Sequence, residues 1–134
     1  MKPEIVVALL IQDNKILLGY RSPDRLVFPN VWDVFGGHME PGEDQPQTLV
    51  RELQEELGIV PTQWTYIETL TAPVTDESSG VLVHLYMIGA WSGTPTNLQL
   101  HEHTKIQWFT LSQLVQLELA NSIYPSLFAR YLVA

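Results

Sequence analysis

The spacing of hydrophobic and polar residues predicts strands in both halves of the chain and a helix between them. Runs rich in β-branched and aromatic residues, bounded by turn signals, predict strands at residues 5–11, 15–20, 31–35, 64–71, 81–91 and 105–109. The first two flank Asp13-Asn14, a dipeptide typical of a tight turn. A polar loop is expected at residues 75–80.

Residues 45–57 carry the pattern of an amphipathic helix. Its apolar residues recur at helical spacing and share one side. They are Leu49, Val50, Leu53 and Leu57. Pro46 is accepted in a first helical turn, and Gly58 supplies a C-terminal stop. The helix is therefore expected to bury one face and to expose the other.

Two further helices are predicted at residues 111–119 and 122–133, where apolar residues again recur at helical spacing. Strands, a central helix, more strands and closing helices indicate an α/β protein whose mixed sheet is covered by helices on both faces. With 134 residues, of which 46% are hydrophobic, the chain is expected to form a single domain over residues 1–134.

An acidic cluster lies on the other side of the central helix. Glu52, Glu55 and Glu56 fall within an arc of about 100°. Carboxylates this close raise one another's pKa unless a cation lies between them. Such oxygen ligands are typical of Mg²⁺ sites, and Mn²⁺ accepts them too. Arg51 is placed to pair with Glu55 and could also reach back to Glu43.

The acidic cluster belongs to a longer pattern. The pattern is Gly37, five residues, Glu43, seven residues, and then Arg51-Glu52-Leu53-Gln54-Glu55-Glu56-Leu57-Gly58-Ile59. It resembles the signature of the Nudix hydrolases and matches every fixed position of it. Weaker similarity extends to residues 31–37, 91–97 and 102–109. Phe35 stands where similar proteins usually carry proline.

The resemblance implies a Nudix-type α/β/α sandwich with a mixed β-sheet, and a pyrophosphohydrolase that uses Mg²⁺ or, in its place, Mn²⁺. It implies metal ligation by Glu52, Glu55, Glu56 and the Gly37 carbonyl oxygen. Similar proteins often take another carboxylate from a distal loop, as ligand or general base. Glu102 is the candidate here, with a solvated loop acid as the alternative. Any of the four acids could serve as the general base.

Three more residues are candidates for substrate binding. Arg21 ends the second predicted strand and could clamp a terminal phosphate, or lie on the surface as an ordinary arginine. Asp33 precedes the glycine turn and could face the nucleotide base or simply pack. Asn97 could hydrogen-bond a base, or belong to the ordinary turn formed by Pro95-Thr96-Asn97. These alternatives stay open.

Composition excludes several classes of function. The net charge of −8 argues against a nucleic-acid polymer as partner, because its phosphates need a basic track. Cysteine is absent, so disulfides and cysteine nucleophiles are excluded. The apolar run from Ile5 to Ile11 is too short to span a membrane and is a poor signal peptide, so a cytoplasmic location is the default expectation. His101 and His103 flank Glu102, but hard carboxylates fit Mg²⁺ better than zinc, and these histidines are expected to pack or to lie in a loop.

The resemblance favours cleavage of a nucleoside triphosphate to the monophosphate and pyrophosphate, with an oxidised dGTP-like nucleotide among the candidates. Hydrolysis of ADP-ribose or another nucleoside-diphosphate compound is the alternative activity. A non-catalytic nucleotide-binding module is the alternative of another class, although it would not need three mutually repelling carboxylates. The expected partner is a small nucleotide, and the expected assembly is a monomer or homodimer.

Overall fold

The computed structural model describes residues 3–26, 28–72 and 80–134. The strands are β1 (Glu4–Gln12), β2 (Lys15–Arg21), β3 (Trp32–Asp33), β4 (Phe35–His38), β5 (Val60–Ala72), β6 (Val81–Ser92) and β7 (His103–Phe109). The helices are α1 (Gln45–Leu57), α2 (Leu111–Leu114) and α3 (Tyr124–Ala129). Apart from Gly80, the loop predicted at residues 75–80 lies outside the described residues.

The seven strands form one mixed sheet centred on β1. The strand order is β3-β2-β1-β6-β5, while β4 also pairs with β1 and β7 with β2. β1 and β6 run parallel, with Val6 opposite His84, and the other pairs are antiparallel. Asp13 and Asn14 both have positive φ, as a two-residue hairpin turn requires. The predicted α/β class with a mixed sheet is confirmed.

The centre of β1 is buried on both faces, and its residues alternate between two hydrophobic cores. Val7 and Leu9 pack into a core that includes residues of α2 and α3. Val6, Ala8 and Leu10 pack into a second core, against Leu49, Leu53 and Leu57 of α1. Because helices cover both faces, β1 is a continuous apolar run.

The predicted bounds of α1 are confirmed, and its local signals explain them. Asp44 caps the helix by accepting a hydrogen bond from the Gln47 backbone N–H, and the Gln47 side chain accepts from the Asp44 N–H. Gly58 ends the helix in the left-handed conformation, with φ of 68°. The acidic residues therefore lie on a helix with well-defined ends.

The two closing helices are shorter than predicted. The backbone of residues 118–120 brackets the edge of β3: Trp32 N–H donates to the Glu118 carbonyl, and Ala120 N–H donates to the Trp32 carbonyl. This pairing requires extended backbone, so the predicted helix at 111–119 could not continue beyond its first turns. The predicted helix at 122–133 is likewise limited to Tyr124–Ala129.

Three predicted strands differ from the structure by more than one residue, whereas the bounds of the others differ by a single residue. The strand predicted at 31–35 is divided into β3, which pairs with β2, and β4, which pairs with β1. β5 begins at Val60 because its pairing with β6 continues to Ser92. β7 begins at His103, which pairs with Arg21 of β2. The last difference places residues 102 and 103 beside the end of β2.

Among the described residues, no helix is both long and apolar enough to cross a membrane.

Candidate active site

The site begins where the glycine turn of β4 meets α1. Gly36 has φ of +148°, and a Cβ there would overlap the Val6 carbonyl of the neighbouring strand. A Cβ on Gly37 would overlap the Glu52 carboxylate. Glycine at position 36 therefore lets β4 lie against β1, and glycine at position 37 lets the backbone of β4 lie directly against the acidic face of the helix.

The three helix carboxylates lie in different environments. Glu56 is buried and accepts a hydrogen bond of 3.0 Å from the Gly36 N–H. Burial, followed by the charges of Glu52 and Glu102, raises the pKa of Glu56 to about 9. Burial also raises the pKa of Glu52, although the Arg51 charge opposes it. The side chain of Glu55, in contrast, is 51% exposed.

Arg51 connects these acids to the glycine turn. Its Nε lies 2.7 Å from Glu43 Oε2, and its Nη2 donates to the His38 carbonyl at 2.9 Å. Its Nη1 lies 3.0 Å from Glu52 Oε1 and 3.4 Å from Glu55 Oε2. The predicted contacts with Glu43 and Glu55 are confirmed. The hydrogen bonds from Arg51 lower the pKa of Glu43 to about 2.

The opposite wall comes from the loop before β7. Carboxylate oxygens of Glu56 and Glu102 and a ring nitrogen of His103 lie within 4.8 Å of one another. His103 is 3% exposed, and its Nδ1 has no hydrogen-bond partner among the described residues. Burial, with the charges of Arg21 and Arg25, lowers the pKa of His103 to about 4, so its imidazole is neutral near pH 7.

These donors fit a divalent cation. Glu56 needs a positive neighbour to be charged in its buried position, and the buried His103 Nδ1 lacks a partner in the described part of the chain. Carboxylate oxygens are the ligands that Mg²⁺ and Mn²⁺ accept, and a neutral imidazole could add a nitrogen ligand. The sequence predicts that His103 packs or lies in a loop, whereas the structure places it as a buried residue of β7 next to Glu102, at the cluster.

A cavity of about 650 Å³ extends from the carboxylates across the sheet. Its acidic end includes Glu52, Glu56 and Glu102, and the Gly37 backbone lies beside them. Apolar residues of two strands, β1 and β6, form another part of its wall, and these are Ile5, Val7, Val81 and Val83. A lining of one apolar surface and a few convergent polar groups is typical of a small-molecule site.

The sequence analysis missed several residues that line this cavity. They are Arg25 and Phe28, from the segment after β2, and Asn121, Ser122 and Tyr124, from the segment that leads into α3. No local motif marks them. Asn121, Ser122 and Tyr124 reach the cavity because the chain returns to the edge of β3 at residues 118–120.

Two of the three predicted substrate-binding residues line the cavity, as a pair. Arg21 Nη1 lies 3.5 Å from Asp33 Oδ2, and Arg21 Nε donates to the Phe28 carbonyl. Asp33 accepts from the Val34 N–H and hydrogen-bonds to the Tyr124 hydroxyl. Burial raises the pKa of Asp33 to about 6, against the opposing charge of Arg21. This pair shapes the cavity wall between β2 and α3.

Asn97 and Glu55 are not among the described residues that line the cavity. The Asn97 side-chain amide donates to the His103 carbonyl at 2.8 Å, so this residue ties the loop that carries Glu102 to its surroundings. Glu55 contacts Arg51, which also contacts the cavity-lining Glu52, and the Glu55 side chain is half exposed.

Replacing Asp33 with Asn is expected to remove part of the pH dependence of stability. The folded protein holds the Asp33 proton up to about pH 6, whereas the unfolded chain releases it near the ordinary value of about 4. The free energy of unfolding therefore decreases as pH rises through this window, by about 1.4 kcal/mol per unit of pKa difference. Urea unfolding from about pH 4 to about pH 7 should show the wild type losing stability relative to Asp33→Asn. Parallel stability curves would contradict this expectation.

Comparisons with known sequences agree with the geometry. The NUDIX domain family model matches residues 1–131. The CTP pyrophosphohydrolase of Escherichia coli K12 is 39% identical over 126 residues, covering 92% of this chain and 87% of that protein. The nucleoside triphosphatase NudI of Escherichia coli O81 is 31% identical over 127 residues, covering 89% of this chain and 90% of that protein.

Solved structures show the same fold. A MutT NUDIX hydrolase from Burkholderia pseudomallei has a TM-score of 0.85 at 23% identity, covering 99% of both chains. The E. coli ORF135 protein has a TM-score of 0.72 at 35% identity, covering 96% of this chain and 87% of that one. Since the family model matches nearly the whole chain, including the glycine turn and the carboxylates of α1, the chain belongs to the Nudix hydrolases.

Proposed function

We propose that this Nudix hydrolase is a Mg²⁺-dependent pyrophosphohydrolase that cleaves a nucleoside triphosphate to its monophosphate and pyrophosphate. The observation that carries the proposal is the group of carboxylates Glu52, Glu56 and Glu102 at one end of a 650 Å³ cavity with arginines in its wall. The similarity to proteins named CTP pyrophosphohydrolase and nucleoside triphosphatase supports a triphosphate substrate.

The chemistry requires charge neutralisation on the phosphates and a water molecule in line with the leaving group. A divalent cation supplies both, because it binds phosphate oxygens and acidifies water. Glu52, Glu55, Glu56 and the Gly37 carbonyl oxygen are the proposed ligands, and Mn²⁺ is an acceptable substitute for Mg²⁺. Gly36 supports this arrangement by donating its N–H to Glu56.

The remaining residues of the cavity are assigned to the substrate. Arg21, held by Asp33 and the Phe28 carbonyl, provides a fixed positive charge for the phosphate chain. The apolar wall formed by Val7 and Val83 offers a surface for the nucleotide base. Asn97 is assigned to positioning the segment that carries Glu102 and His103, and not to binding the substrate.

Replacing Glu102 with Gln is expected to slow the chemical step about a hundredfold or more, because this residue faces Glu56 across the cluster and would act as a further ligand or as the general base. Rapid-quench kinetics of a single turnover should show the decrease in the rate of product formation. Glu68→Gln is a matched control, since Glu68 pairs with Arg130 outside this cavity. An unchanged single-turnover rate would exclude a role for Glu102 in the chemical step.

The proposed function is tested by product analysis on a substrate panel. The panel contains CTP, the other nucleoside triphosphates, oxidised dGTP, ADP-ribose and nucleotide sugars, each with Mg²⁺ and with chelator. Pyrophosphate and a monophosphate from one triphosphate, abolished by chelator, would support the proposal. Cleavage of ADP-ribose alone would instead indicate that the substrate is a nucleoside-diphosphate compound. Ligand-induced stabilisation without turnover would indicate a binding module.

A further inference from the structure

The two arginines that line the cavity differ in how firmly they are held. The Arg21 side chain is 12% exposed, and its Nε donates to the Phe28 carbonyl at 2.8 Å. The Arg25 side chain is 31% exposed, and its Nη1 lies 3.6 Å from Glu102 Oε1. A charge-assisted hydrogen bond between such groups is about 2.7–2.9 Å long. The contact between Arg25 and Glu102 is therefore an ion pair without a tight hydrogen bond.

The backbones that carry this ion pair are joined independently of it. Ser22 N–H donates to the Glu102 carbonyl at 2.9 Å, and Glu102 N–H donates to the Gln99 carbonyl at 2.9 Å. Arg25 N–H in turn donates to the Ser22 carbonyl. Because these main-chain bonds hold the two segments together, the side chains of Arg25 and Glu102 can part without moving the backbone that presents them.

The Glu102 carboxylate takes part in two arrangements. One is the ion pair with Arg25, and the other is the cluster with Glu56 and His103, which fits a divalent cation. If Glu56, His103 and Glu102 held a divalent cation, the Glu102 carboxylate would be shared between that cation and the Arg25 guanidinium, and its pairing with the guanidinium would weaken. Arg25 would then face the cavity with its charge only partly matched, beside the place assigned to the phosphate chain.

We propose that Arg25 is an exchangeable counter-ion: it pairs with Glu102 in the absence of a divalent cation and transfers to the substrate's phosphate chain when Glu102 turns to the cation. The inference rests on the proposed function for the phosphate chain, although the pairing of Arg25 with Glu102 does not. It makes Arg25 a substrate-binding residue whose availability depends on the occupancy of the cation site.

If Arg25 is an exchangeable counter-ion, Arg25→Ala should increase the affinity for Mn²⁺ and decrease the affinity for tripolyphosphate. Without nucleotide, Mn²⁺ should bind about two- to fivefold more tightly to the variant, because the cation no longer competes with a partly exposed ion pair. Inorganic tripolyphosphate with Mg²⁺ should bind about tenfold more weakly, because one phosphate contact is lost. Arg25→Lys should lie between the variant and the wild type in both measurements, since the charge remains but the planar guanidinium is lost.

Isothermal titration calorimetry measures both affinities without turnover. A double-mutant cycle separates exchange from the mere removal of a nearby positive charge: in a Glu102→Gln background, Arg25→Ala should no longer tighten Mn²⁺ binding. Arg130→Ala is the matched control, because it breaks an exposed Arg130–Glu68 ion pair of 2.9 Å elsewhere on the surface, and it should change neither affinity.

Three results would overturn the proposal: unchanged or weaker Mn²⁺ binding in Arg25→Ala, unchanged tripolyphosphate affinity, or a Mn²⁺ effect that persists in the Glu102→Gln background. Both titrations are independent of the nucleotide base and of catalysis. If the substrate panel shows no hydrolysis while the two affinities still change in opposite directions, the proposed function fails and the exchange stands.

Discussion

Glu56→Gln is expected to reduce hydrolysis of the triphosphate substrate by about a thousandfold or more, equivalent to about 4 kcal/mol of transition-state stabilisation. Glu56 is the most buried of the α1 carboxylates, it accepts the Gly36 N–H, and it belongs to the cluster with Glu102 and His103. The amide has the same shape but no charge, so it cannot balance a divalent cation. Steady-state kinetics at saturating Mg²⁺ should show the loss mainly in kcat.

In the absence of metal, Glu56→Gln is not expected to reduce the stability of the protein. Burial and neighbouring acids raise the pKa of Glu56 to about 9, so a negative charge at this position is unfavourable without a cation. With chelator, Glu56→Gln should therefore melt no lower than the wild type. Adding Mg²⁺ should raise the melting temperature of the wild type more than that of the variant.

Glu55→Gln is the comparison that makes this test specific. The Glu55 side chain is 51% exposed and contacts Arg51. Loss of the Glu55 charge should therefore reduce turnover by a smaller factor than loss of the Glu56 charge. Glu68→Gln, outside the cavity, should leave turnover unchanged. Near-normal rates in Glu55→Gln and Glu56→Gln would refute the assignment of a metal site to this face of α1.

Arg51→Ala is expected to reduce stability and activity together. Arg51 is the cation that Glu43, Glu52 and Glu55 share, and it also donates to the His38 carbonyl. Its removal leaves Glu52, whose side chain is 14% exposed, without its closest positive neighbour. Removing one partner of a largely buried pair costs about 3 kcal/mol. Thermal and urea unfolding should both report the loss.

Two further variants define what Arg51 does. Arg51→Lys keeps the charge but cannot bridge several carboxylates and a carbonyl at once, so it should recover only part of the stability. Arg130→Ala breaks an exposed ion pair with Glu68 and should cost about 1 kcal/mol or less. An unchanged melting temperature and unchanged turnover in Arg51→Ala would exclude an orienting role for this residue.

Local sequence accounts for the half of the site that lies on one continuous segment. Residues 37–59 contain the glycine turn, the cap at Asp44, the apolar stripe of α1 and the stop at Gly58. Each of these depends on interactions over a few residues, so periodicity and turn chemistry predict them. The reach of Arg51 back to Glu43 could be predicted for the same reason, because helix geometry sets the distance.

Pairings between distant segments decided the other half of the site. β7 pairs with β2 and places Glu102 and His103 beside Arg21, and residues 118–120 pair with the edge of β3. Neither pairing has a local signal, and the second shortened a helix that periodicity alone predicts. The sequence therefore did not predict that Arg25 and Asn121 line the cavity. It also did not predict that Asn97 donates to the His103 carbonyl instead of lining the cavity.

The placing of three carboxylates on one face of a helix next to a glycine turn follows from the local sequence, because helical spacing and capping depend on neighbouring residues. Only the tertiary structure distinguished buried Glu56 from half-exposed Glu55, and it brought the Glu102–Arg25 ion pair to the rim of the same cavity. Burial and pKa depend on what covers a side chain. Here the covering residues belong to strands and loops that are distant in the chain. The periodicity of the sequence does not predict their contacts.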